Sequence, residues 1–187
     1  LRVKNFSGTV TITGMRRGDV SIQAIRRATR DRLDTIKLEI TETGSGVTID
    51  ATHKTREWRD RENSDVVDTQ LDIQVPDDVT LDIDVFSSDV RVADVTGKQK
   101  LHTFSGDIEV KGATGSVNAE TFSGDIELTL AQGVGGNVDF DTFSGDLRAD
   151  GGMTTRSVGK RHVTGTVGTG GNNDYRFNTF SGDARIR

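Results

Sequence analysis

The sequence predicts an all-β chain: a single-stranded β-solenoid, or β-helix, of stacked turns of about 18 residues. Three observations predict it. The tetrapeptide Phe-Ser-Gly-Asp recurs at Phe104, Phe122, Phe143 and Phe180, with near copies at Phe6 and Phe86. Apolar and polar residues alternate on both sides of it, the period of a strand with one buried face. Glycine, 22 of 187 residues, is spread along the whole chain, at about 1 kcal/mol each in a helix interior, which argues against a helical bundle.

The elements follow in chain order. Leu1, Val3, Phe6, Val10 and Ile12 match the apolar positions of the repeat, and Gly18-Asp19-Val20-Ser21-Ile22 reads as the second half of another turn. The basic stretch Arg26 to Arg32 contains Asp31 in a chain of net charge -5, so it reads as a solvated strand edge or loop, not a lipid or nucleic-acid site. Ile36, Leu38, Ile40 and then Val47, Ile49 mark two alternating strands. Residues 53–65 form a charged loop holding Trp58, and Val67, Leu71, Ile73 and Val75 lead to Pro76. The chain is one solenoid domain, 1–187, with irregular turns over 1–80 and regular repeats over 81–187.

In the regular part the Phe residues lie 18 (86 to 104), 18 (104 to 122), 21 (122 to 143) and 37 (143 to 180) positions apart. The last interval reads as double, with Val163-Thr164-Gly165-Thr166-Val167 as a degenerate copy. Counting the Phe as zero, positions −5 and −3 and positions +4 and +6 are mostly apolar, so each unit supplies two short strands. Thr103, Thr121, Thr142 and Thr179, at −1, are expected to break the alternation, and the repeated Phe to stack as an internal ladder. The Gly at +2 is expected to let the ring lie close to the backbone. A lone turn buries too little to offset the ordering of its backbone, so stability must come from the stack. No capping helix is visible, and the expectation is that the N-terminal half folds over one end while the C-terminal turn stays open.

Composition bounds the rest. Apolar residues are 32% of the chain, so the core is thin. No apolar run approaches the roughly 18 residues of a membrane-crossing helix, and no signal peptide is visible. The chain opens at Leu1 without Met, as a mature or trimmed fragment would. With no Cys there are no disulfides or thiolate metal sites, and the negative charge gives no pull toward nucleic acid.

The opening Phe6-Ser7-Gly8-Thr9-Val10-Thr11-Ile12, the segment Leu71-Asp72-Ile73-Gln74-Val75-Pro76 and the serial Ser-Gly-Asp-Ile/Leu units resemble the bacterial putative-adhesin family, a β-solenoid domain of unknown function. The resemblance covers essentially the whole chain. It implies a location in the cell envelope or on the cell surface, often beside a membrane anchor that would lie outside these residues. It implies no catalytic residues.

Serine at +1 and aspartate at +3 have outer-face parity. The candidate binding ladder is therefore Ser105, Asp107, Ser123, Asp125, Ser144 and Asp146. Stacked turns would place Asp89, Asp107, Asp125 and Asp146 about 4.8 Å apart, where two carboxylates repel by roughly 1 kcal/mol in water. Local N–H donors at each Gly turn, helped by the neighbouring Ser, are the expected relief. A Ca²⁺ column is the alternative; the calcium nonapeptide is missing and Thr166 interrupts the column. At +5, Arg91/Glu109 and Glu127/Arg148 are expected to pair. Asp125, Asp146 and Arg148 are the one cluster that a glycan-cleaving β-helix might use, but repeated identical carboxylates lack the acid–base asymmetry catalysis needs. His53, His102 and His162 occupy unrelated template positions. The expectation is a non-catalytic cell-envelope module with no cofactor and no metal, a monomer or weak dimer, binding a protein or surface glycan. An end-to-end polymer subunit is the second class, a glycan-active enzyme the third.

Overall fold

The computed structural model describes residues 1–44, 46–54 and 66–187. Along the chain run β1 (Arg2–Met15), β2 (Ser21–Arg27), α1 (Arg30–Thr35), β3 (Ile36–Thr43), β4 (Gly46–Lys54), β5 (Asp68–Pro76), β6 (Leu81–Ala93), β7 (Gln99–Ser105) and β8 (Ile108–Ala113). Then come β9 (Val117–Ser123), β10 (Ile126–Leu130), β11 (Gly136–Ser144), β12 (Leu147–Ala149), β13 (Met153–Val158), β14 (His162–Val167), β15 (Asn173–Ser181) and β16 (Ala184–Ile186). The chain is all-β apart from this one short helix among the described residues. Of the predicted 53–65 loop, His53 and Lys54 end β4; Trp58 and the rest lie outside the described residues.

The strands form two ladders joined at the long strands β1 and β6. One runs β3-β4-β1-β6-β7-β9-β15-β11-β14-β13, the other β2-β5-β1-β6-β8-β10-β16-β12. Between β1 and the 136–149 turn every pairing is parallel. Val3, Ile83, Leu101, Ala119, Phe177 and Phe140 succeed one another in register in the first ladder. Val10, Val90, Ile108, Ile126, Ala184 and Leu147 do so in the second. The core lies between the ladders, where these side chains interdigitate; all of them except half-buried Leu147 are buried. Sizes alternate where they must: the small Ala119 sits beside the bulky Phe177.

The turns do not stack in chain order. The last unit, β15 and β16, is inserted between 117–130 and 136–149, with Tyr175 flanked by Val117 and Val138 and Ile186 by Leu128 and Ala149. The expected open C-terminal turn is therefore an interior one. The 21-residue Phe spacing now has a physical reason. The 131–135 connection must step over two turn thicknesses instead of one, another ~4.8 Å. Three extra residues, at ~3.3 Å each, supply it.

Two further expectations are corrected. Val163 to Val167 is not a degenerate turn: it belongs to β14, which pairs antiparallel with β11 and with β13, so a hairpin covers that end of the first ladder. Residues 18–22 are not half of a turn either, since β2 pairs antiparallel with β5. The predicted strands around Ile40 and Ile49 form an antiparallel hairpin, β3 with β4. The Arg26–Arg32 stretch runs from the end of β2 into α1, with half-buried Arg26 donating Nη2 to the Ile36 carbonyl at 2.7 Å.

Candidate binding face

Each turn changes direction at its Phe-Ser-Gly-Asp segment, and burial shows how. In the turn around Phe122, Val117, Ala119 and Thr121 point inward, Phe122 and Ser123 point outward, and Ile126 and Leu128 point inward again. The alternation breaks after the Phe, not at the Thr. Thr103, Thr121, Thr142 and Thr179 are buried. The Thr103 and Thr121 hydroxyls donate to the carbonyls of Ser88 (3.1 Å) and Gly106 (3.2 Å) one turn earlier. At these two positions the inward threonine supplies a donor to a corner carbonyl, whereas the buried Thr142 and Thr179 hydroxyls have no hydrogen-bond partner among the described residues.

The Phe column is a ladder, but an external one. Phe6, Phe86, Phe104, Phe122, Phe180 and Phe143 stack in that order with centroids 4.6–5.0 Å apart and planes within 13°. Each ring stays 41–52% exposed. The faces cover one another and the edges meet solvent. Arg161 lies over Phe143, its Cζ 4.0 Å from the ring centroid, and closes that end of the column.

Glycine at +2 serves the backbone, not the ring. A Cβ on Gly124 would stand 2.1 Å from the Gly106 carbonyl oxygen, and its φ of +151° is one that other residues rarely adopt. Gly124 in turn donates its N–H to the Ser181 carbonyl at 3.2 Å. Close approach at the corner keeps the ladder continuous around it.

The aspartates use that approach. Asp107 N–H donates to Asp89 Oδ1 (3.3 Å), Asp125 N–H to Asp107 Oδ1 (2.9 Å), Asp183 N–H to Asp125 Oδ1 (2.8 Å) and Asp146 N–H to Asp183 Oδ1 (2.8 Å). The carboxylates do accept backbone N–H groups, but those of the Asp in the next turn, not the local ones expected. The six predicted residues Ser105, Asp107, Ser123, Asp125, Ser144 and Asp146 all lie exposed on this corner. They do not form one consecutive ladder, because Ser181 and Asp183 stand between the 123/125 and 144/146 pairs. Repeat counting missed that insertion; the 21-residue spacing carried its signal.

On the other flank of the Phe column the register partners Lys4, Asp84, His102, Glu120, Asn178 and Asp141 line up. The ring edges therefore run between the aspartate column and a mixed column of three acids, a lysine, a histidine and an asparagine. At +5, Arg91 lies 3.8 Å from Glu109 as expected. Glu127 and Arg148 are not neighbours: Arg185 intervenes, and Glu127 pairs with Arg187 at 2.5 Å. The Asp125, Asp146 and Arg148 cluster is likewise split by Asp183 and Arg185. Each histidine has its own carboxylates: His53 with Glu39 (3.0 Å), His102 with Asp84 (3.0 Å), His162 with Asp141 (2.8 Å) and Asp139 (3.4 Å).

The family model described as Toastrack DUF4097 matches residues 1–187. The chain belongs to this family. No curated protein matches the sequence. A crystal structure of a putative cell adhesion protein from Clostridium sporogenes ATCC 15579 is similar over 99% of this chain and 90% of that one, with 12% identity and a TM-score of 0.70. At that identity the likeness concerns the fold. A putative adhesin from Bacteroides fragilis NCTC 9343 aligns over 100% of this chain and 91% of that one, with 11% identity and a TM-score of 0.32. The Toastrack chain described here carries its repeated chemistry on one corner of the stack.

Proposed function

We propose that this Toastrack chain is a non-catalytic, adhesin-like module of the bacterial cell surface that binds a partner protein or surface glycan along its Phe-Ser-Gly-Asp corner. The description of the Clostridium sporogenes structure as a putative cell adhesion protein supports the location. One observation carries the binding reading: six ring edges and five carboxylates run in register along one exposed corner. From Phe86 to Phe143 both faces of each ring are covered, which leaves a sugar ring no flat platform there. Hydroxyls or cationic groups of a ligand would instead meet the Ser hydroxyls and the carboxylate oxygens that the N–H ladder does not use. The near-identical setting of each Asp along the column supports repeated binding over acid–base chemistry.

The test is a binding screen on neutral and amino-sugar oligosaccharides and on basic peptides. It compares the wild type with the combined variant Asp107→Asn, Asp125→Asn and Asp183→Asn, whose amide oxygens can still accept the ladder N–H bonds. Binding by the wild type that falls about tenfold or more in the variant, roughly 1.4 kcal/mol, is the expected result. Equal binding by both would move the site off this corner. Cleavage of an oligosaccharide by the wild type would replace the binding reading with an enzymatic one.

A further inference from the structure

The inserted turn defines a second kind of site. Residues 117–130 and 136–149 are joined through only 131–135, yet they do not pair with each other. Between them is a slot one strand thick with a parallel edge on either side. In this structure 173–187 fills it. Tyr175, Phe177, Ala184 and Ile186 bury their side chains there. Phe180 stacks between Phe122 (4.6 Å) and Phe143 (4.8 Å). Asp183 both donates to Asp125 and accepts from Asp146 at the corner.

Three features separate this segment from the other turns. It follows both walls in the chain, so synthesis makes the two edges before the segment that pairs with them. It is tethered through Gly168-Thr169-Gly170-Gly171-Asn172, where Gly168, Gly170 and Gly171 have φ values of +61°, +75° and +139°. Glycine tolerates other backbone conformations at these positions, which exchange requires together with release of the Thr169 Oγ1 bond to the Gly133 carbonyl (3.1 Å). The slot also recognises a generic turn, through main-chain bonds, a stacked ring and an Asp–N–H contact, and an identical turn on another molecule meets those requirements equally well.

We propose that the slot is a binding site for residues 173–187 of a second copy of this chain, and that the protein forms strand-exchanged dimers through it. The tethered segment normally wins because a short flexible linker holds it at an effective concentration near the millimolar range. Exchange therefore grows with protein concentration during folding, when the edges are open, as is characteristic of repeat proteins.

The chain has no Cys, so single cysteines report cleanly. Glu120 on β9 and Asn178 on β15 are register partners across one wall of the slot, at a separation a disulfide accepts. Full-length Glu120→Cys and Asn178→Cys chains are unfolded together, refolded from about 10 µM to about 1 mM to approach the tether's effective concentration, and then oxidised. A Lys100→Cys and Asn178→Cys mixture measures random coupling, since Lys100 pairs with Asn118 instead. The double variant Glu120→Cys/Asn178→Cys in one chain shows that the pair closes in cis.

The expected result is a disulfide-linked dimer that rises with concentration and exceeds the random mixture by about tenfold at the top of the range. A trans product no greater than the random mixture, with the cis disulfide closing normally, overturns the proposal. Failure of the cis disulfide to close overturns the inserted register on which it rests.

Discussion

Asp125 and Asp183 lie 58 positions apart in the chain, yet Asp125 Oδ1 accepts the backbone N–H of Asp183 at 2.8 Å. That bond is one link in a column from Asp89 to Asp146, in which the carboxylates of Asp89, Asp107, Asp125 and Asp183 each receive the N–H of the next turn. A charge-assisted bond of this kind is stronger than a neutral one. It offsets part of the repulsion between like charges at turn spacing.

Asparagine keeps an oxygen acceptor and removes the charge. Asp107→Asn with Asp125→Asn is expected to be near neutral or slightly stabilising, whereas Asp125→Ala should cost about 1 kcal/mol through the lost bond. Urea melts at low and high salt measure both, with salt narrowing the wild-type disadvantage. Millimolar calcium should leave the wild-type Tm unchanged. A rise of several degrees that disappears in the double Asn variant would establish a cation column instead.

Phe122→Ala and Phe180→Ala should destabilise alike, by about 2 kcal/mol, because each ring has two stacked neighbours and is half-exposed. Phe177→Ala, which empties a fully enclosed position, should cost about 3–5 kcal/mol. Denaturant midpoints decide. A Phe180 effect much smaller than that of Phe122 would place Phe180 at an end of the stack, not inside it.

Gly124→Ala should be among the most damaging single changes, at more than about 3 kcal/mol, because its methyl would meet a backbone carbonyl that cannot move without opening the ladder. Gly133→Ala provides the contrast. Its φ is +75° but nothing lies within 4 Å of the added methyl, so only the backbone conformation resists, at about 1 kcal/mol. Thermal melts of the two variants should separate clearly.

Tyr175 is the only tyrosine, and burial raises its phenol above the ordinary value of about 10, partly opposed by the Asn173 Nδ2 hydrogen bond at 3.3 Å. The folded state therefore holds the proton more tightly than the unfolded state. The associated stability is fully present below about pH 10 and is lost as pH rises through the higher folded-state value. Tyrosinate absorbance should appear later in the folded protein than in denaturant. Tyr175→Phe should flatten the alkaline fall in Tm. Coincident folded and unfolded titrations would show that the ring is not enclosed.

Much of the corner was legible from residue pattern. Positions −5 and −3 were read as inward, and continuing that alternation to −1 places Thr121 inside and Phe122 outside. The hydrophobicity of phenylalanine pointed the other way. Parity from the preceding strand prevailed because the chain bends only after the Phe, and an aromatic ring can cover its faces against identical neighbours outside the core. The six Ser and Asp positions were identifiable because outward parity and polarity agree. Arg148 was misplaced beside Glu127 because counting repeats assumes that consecutive units are neighbours.

The sequence by itself determined the strand-forming alternation, the glycine corners and the outward Ser and Asp. These depend on interactions within a turn, and every copy repeats them. Only the tertiary structure decided the order of the turns and made a capping hairpin of 153–167. The physical reason is that near-identical turns present near-identical edges, so local chemistry does not distinguish one neighbour from another. The longer step at 131–135 and the antiparallel pairing of β14 with β11 settle the order, leaving a slot that residues 173–187 fill.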